Sequence, residues 1–103
     1  MLVARTVLGM KTQHTVETLV RYQDTISTWE VAETFTTSEE AHAAAQAFAK
    51  DLTAAFTSST GAINNTDRDL IVRDCLNPIN EDELSNAHEA VIDVEISIYA
   101  RVK

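Results

Sequence analysis

Residues 28–56 read TWEVAETFTTSEEAHAAAQAFAKDLTAAF, a short strand that runs into an alanine-rich helix. In the strand, Trp29, Val31 and Phe35 fall on one face, and Glu30, Ala32 and Thr34 on the other. That is the period-two alternation of a half-buried β-strand, broken on its apolar face only by Glu33. Thr37 and Glu40 have the spacing of a capping box, in which a hydroxyl and a carboxylate satisfy free N–H groups at a helix start. Apolar residues then recur at Ala41, Ala44, Ala45, Phe48, Leu52, Ala55 and Phe56, a stripe at helical spacing. Gly61, just past the stripe, is placed to stop the helix. A strand with a helix packed on it is therefore the expected heart of the domain.

Working outward, the 103 residues suffice for one core, so a single domain over residues 1–103 is expected. Two glycines and one proline leave no linker or low-complexity stretch. No apolar run reaches the roughly 18–20 residues of a membrane span, so no membrane role is expected. The opening MLVARTVLGMKTQ lacks the long apolar region and cleavage site of an export signal. The Asn64-Asn65-Thr66 sequon carries little weight without such a signal. The single Cys75 rules out an intrachain disulfide, and its apolar neighbourhood points to a buried, inert thiol.

Residues 2–9 alternate as a strand, with a turn at Gly9–Gln13. Residues 14–22, HTVETLVRY, fit strand or helix, and their β-branched density favours a strand. Gln23-Asp24-Thr25 is a turn leading to the Trp29 strand. After the main helix, Ser58–Asp69 reads as a loop. Leu70–Leu76 is a strand or a short helix opened by Thr66, with the strand preferred. Residues 80–90 form an acidic connector in which Asn80 and Glu83 could cap one helical turn. In the last segment Ile92, Val94, Ile96, Ile98, Ala100 and Val102 point one way. Asp93, Glu95, Ser97, Tyr99, Arg101 and Lys103 point the other, giving one packed and one polar face. Such a strand would be about 35–40 Å long, enough to project and pair with another chain. The expected fold is α+β: a mostly antiparallel sheet of four to five strands in the order β-β-β-α-β-β. One main helix, about residues 38–57, covers one face of the sheet.

Chemistry is sparse. His14, His42 and His88 sit on separate elements, and no pair has metal-ligand spacing. No phosphate loop, nucleophile elbow or paired-cysteine motif occurs. The expectation is a non-enzyme with no catalytic, cofactor or metal site. Sixteen Asp and Glu against eight Lys and Arg give a net charge of −8, which disfavours binding to a phosphate backbone. An acidic surface can be merely solvated, can repel DNA, or can imitate it. The candidate acidic face comprises Asp67, Asp69, Asp74, Glu81, Asp82 and Glu83. On the helix face opposite the apolar stripe sit Ala43, Ala47 and Ala54, where long charged side chains are usual. High helix propensity explains them, and so does close approach of a second subunit. With Tyr99 and Arg101 of the last strand they form the candidate subunit interface.

From Thr28 onward, the order of TWEV, EEAHAAAQAFAKDLTAAF, LIVRDCLNPI, NEDELSNAHEA and VIDVEISIYAR resembles the tail-terminator and tail-completion proteins of long-tailed bacteriophages. The resemblance covers roughly residues 26–102 and rests on element order and composition. The family usually opens with a helix, whereas residues 2–9 here read as a strand. The resemblance implies a virion protein, assembled in the host cytoplasm into a ring, commonly a hexamer, at the head-proximal end of the tail. Its partners would be copies of itself and neighbouring tail or connector proteins, with DNA passing through the ring and no specific nucleic-acid binding. A negative lumen would not retain a polyanion in transit. The alternative is a small acidic phage-encoded inhibitor, a DNA mimic whose carboxylates stand in for phosphates against a host defence protein.

Overall fold

The structure, a computed structural model, describes residues 13–57 and 61–103. The strand expected over residues 2–9 lies outside them. The chain is an α+β domain with a six-stranded antiparallel sheet and one main helix packed on it. The strands are β1 (His14–Tyr22), β2 (Thr25–Ile26), β3 (Glu30–Phe35), β4 (Asn77–Pro78), β5 (His88–Val91) and β6 (Ile96–Val102). The helices are α1 (Ser38–Thr57), α2 (Asn65–Asp74) and the single turn α3 (Glu81–Leu84).

Strand β1 is the hub: residues 14–22 form the strand their β-branched density favours, whereas the Trp29 strand, the expected heart of the domain, is an exposed strand paired only with β1 among the described residues. One edge of β1 pairs with β6 from Val16↔Val102 to Tyr22↔Ile96. Its other edge pairs with β2 and then with β3, and β4 and β5 extend the sheet in the order β4-β2-β1-β6-β5. Between β2 and β3 the returning chain adds residues against β1. Ile26 faces Arg21 and Glu30 faces Thr18, and Ala32 has no partner where the register shifts again between Val16 and Glu17. These bulges re-aim the side chains of the Trp29 strand. Val31 therefore faces solvent and Trp29 is only half-buried, while Phe35 alone of the expected apolar face packs on the helix-side core.

Helix α1 starts as its sequence dictates. The Glu40 N–H donates to Thr37 Oγ1 at 3.1 Å, and the Thr37 hydroxyl donates to the Glu40 carboxylate at 2.9 Å. Gly61 takes φ +74° and donates its N–H to the Thr57 carbonyl at 2.8 Å, a left-handed stop that disfavours a Cβ. The buried side is Ala41, Ala45 and Ala49, one turn apart, with Ala44 and Phe48 partly buried beside them. Ala49 was absent from the expected stripe. Against these small side chains lie Val16 and Ala100, so helix and sheet approach closely. Ile71, Cys75 and Ile96 form a second cluster.

Three expectations are corrected. Residues 70–76 are not a strand: α2 spans Asn65–Asp74, opened by Asn64, whose side chain accepts the Asp67 N–H at 2.8 Å. The buried Ile71 and, just past the helix, Cys75 are four apart, whereas Leu70, Val72 and Leu76 are exposed, so the apolar run is not a sheet face. The long final strand is a hairpin. Asp93 Oδ1 accepts the N–H groups of Glu95 and Ile96, turning the chain and leaving Val94 99% exposed. The acidic connector accordingly ends early, at β5. Finally, β6 lies inside the sheet between β1 and β5, so it offers no edge to another chain.

Candidate interaction surfaces

Alternation along β1 and β6 gives the sheet two unlike faces. Val16, Ile96 and Ala100 meet the helices, while Glu17, Leu19, Tyr99 and Arg101 emerge on the other side. The second face is not simply polar. Leu19, Ile26, Leu84 and Tyr99 form a buried cluster there, sealed in part by Trp29, Ile79 and Ala87.

Charged groups on this face are joined in two chains. Arg101 pairs with the buried Glu17 carboxylate at 2.8 Å, and its guanidinium lies 4.0 Å from the centre of the Trp29 ring. The indole N–H in turn donates to Glu83 at 3.1 Å. In the second chain the Tyr99 hydroxyl donates to Glu89 at 2.8 Å and accepts from Arg21 at 3.2 Å. Burial, then the bond to Glu89, pushes the Tyr99 phenol above its ordinary value. Tyr99 and Arg101, expected at a subunit interface, are thus engaged within the fold.

The acidic residues separate into two groups. Asp67, Asp69 and Asp74 are on α2, where Asp67 accepts from the Asn64 amide in the helix cap. Glu81, Asp82 and Glu83 form the exposed turn α3. These three border an open groove of about 590 Å³, whose other wall runs from Ile26 to Trp29. The Asn80 side chain accepts the Asp82 N–H at 3.1 Å, so Asn80 caps α3 as its sequence suggests.

Ala43, Ala47 and Ala54 are exposed on the outer side of α1. Ala43 and Ala47 line a shallow depression with Gln46, Lys50 and Asp51. Cys75 is buried, its Sγ 3.5 Å from the Val20 carbonyl, and burial raises its thiol above the ordinary value. His42 and His88, on separate elements, nonetheless face each other edge to face with ring centres 6.2 Å apart. Among the described residues no group of three or more His, Cys, Asp or Glu could hold a metal ion, and no helix is long and apolar enough to cross a membrane.

The sheet has an open edge at each end. On one side β3 pairs only with β1, and on the other β5 pairs only with β6, among the described residues. β3 is exposed on both faces from Glu30 to Thr34. The remaining outer strand, β4, is two residues long and includes Pro78, which cannot donate to a ladder. Sequence reading missed both the ion chains and the open edges, since the partners are remote in sequence: 84 residues separate Glu17 from Arg101.

Comparison with known protein families, curated proteins and solved structures returned no match.

Proposed function

We propose that this protein is a structural subunit of a bacteriophage tail or neck, of the terminator or completion type, that assembles into a ring through which DNA passes. The observation that carries the reading is that, among the described residues, the sheet is open at opposite ends. A subunit with two different free edges can join head to tail, and head-to-tail contacts related by a closing rotation generate rings. The outer side of α1, with Ala43 and Ala47, supplies a second surface that a neighbour could approach closely. A net charge of −8 suits the wall of a DNA passage, because it does not hold the polyanion.

Negative-stain imaging of the purified protein, alone and with tail tubes, tests this. Closed rings with a central hole, or caps on tube ends, are expected. Failure to form rings and failure to bind tubes would count against the reading. Ala47→Glu should impair assembly while the monomer stays folded, since the substitution is at an exposed position. A variant that assembles normally removes the outer face of α1 from the interface.

A further inference from the structure

We infer that the outer edge of β5 in one copy pairs with the outer edge of β3 in the next, so that a single antiparallel sheet runs from subunit to subunit. The inference rests on the self-assembly reading above and names its interface.

Strand sense comes first. β6 runs antiparallel to β1 and β5 antiparallel to β6, so β5 points the same way as β1. β3 runs antiparallel to β1. When the sheet is continued from one copy into the next, β5 and the neighbour's β3 therefore meet antiparallel, the more stable ladder. Length agrees too, with four residues of β5 against six of β3.

Side-chain facing and full overlap together select a register. Glu89 and Val91 stand opposite Tyr99 and Ser97, and so lie on the ion-chain face; His88 and Ala90 stand opposite Ala100 and Ile98, on the helix face. In β3, Val31 and Thr34 stand opposite Glu17 and Thr15, on the ion-chain face, while Glu33 and Phe35 stand opposite Val16 and His14, on the helix face. One alignment keeps every residue on its own side and pairs all four residues of β5 within β3: Phe35 beside His88, Thr34 beside Glu89, Glu33 beside Ala90 and Val31 beside Val91. Ala32 stays unpaired in it, as it already is against β1. The alignment brings together an aromatic pair and a hydroxyl with a carboxylate. It also unites two valines that are 65% and 61% exposed in the single chain. No carboxylate faces another, so the acidic edge of β3 is compatible with this partner.

Cysteine cross-linking tests the junction. Directly opposed residues have Cβ atoms about 4.5–5.5 Å apart, within reach of a short thiol cross-linker. The double variant Val31→Cys/Val91→Cys should give a ladder of covalent oligomers on a denaturing gel. Each single variant should stay monomeric, and a mixture of the two should stop at dimers, because each copy then carries one usable edge. The native Cys75 is buried, and wild-type protein treated in parallel is its control. Val31→Asp and Val91→Asp should each abolish the oligomer while the monomer keeps the circular-dichroism spectrum of the folded chain. Covalent dimers of Val31→Cys alone would indicate a two-fold β3–β3 contact and overturn the inference. Rings without a ladder would overturn it while sparing the ring reading. A monomer without a ladder would overturn both.

Discussion

The two faces of the sheet are held by different physics. On the helix side, Val16, Ile96, Ile98, Ala100 and the alanines of α1 exclude water almost completely, and their stability comes from apolar burial and close packing. On the other side a small apolar cluster is ringed by Glu17, Arg101, Trp29, Glu83, Arg21, Tyr99 and Glu89, linked by charge-assisted bonds. The first face is intolerant of volume changes. The second adds to its small buried cluster a rim of charge-assisted bonds. One small domain thus combines a dry wall with a wet one, and the strand edges left unpaired among the described residues lie where the two meet.

Ile98→Ala should have the largest effect. Ile98 is fully buried, and truncation should cost about 2–5 kcal/mol in chemical denaturation. A loss below about 1 kcal/mol would mean that the helix side is not the rigid one. Arg101→Met comes next, at roughly 1–3 kcal/mol, because it leaves the buried Glu17 carboxylate without its cation. That figure is discounted from a fully buried pair, since the Arg101 side chain keeps 24% of its exposure. A double-mutant cycle with Glu17→Gln should show coupling, and its absence would make the ion chain ornamental. Trp29→Phe should be milder, about 0.5–1.5 kcal/mol, removing the bond to Glu83 while keeping a ring near Arg101.

The smallest effect concerns pH. The folded state holds the Tyr99 phenol above its ordinary value, so the unfolded chain releases that proton first as pH rises. Stability conferred by the neutral phenol is complete below the ordinary tyrosine range and declines as pH climbs through about 10 and beyond. Tyr99→Phe should flatten that alkaline decline relative to wild type, and an identical decline would assign it to other groups.

Local and periodic features were readable in the sequence. The Thr37 hydroxyl cap, the stop at Gly61, the strand at residues 14–22 and the alternation from Ile96 onward are set by near neighbours, and the structure contains each of them, although the Glu40 carboxylate accepts the Thr37 hydroxyl rather than a backbone N–H. Features that depend on competition between local signals were not. Asp93 breaks a perfect alternation because its side chain satisfies two backbone N–H groups better than a straight strand would. Asn64 and Asp67 outweigh the apolar run at residues 70–72 in the same way. The bulges after Ile26 and Val31 expose Val31 and leave Trp29 half-buried, so a loss of about 3–5 kcal/mol for Trp29→Ala, expected of a core aromatic, shrinks toward 1–3. The six candidate carboxylates were identifiable as acidic, and all but the half-buried Asp67 are exposed. Their division between α2 and α3 required the fold.

The native mass of the untagged protein over a wide concentration series tests the central claim of self-assembly most directly. The expected result is a species whose mass is a fixed multiple of 11.4 kDa, persisting on dilution until it dissociates cooperatively. A mass of 11.4 kDa at every concentration, with tail tubes present or absent, would contradict it.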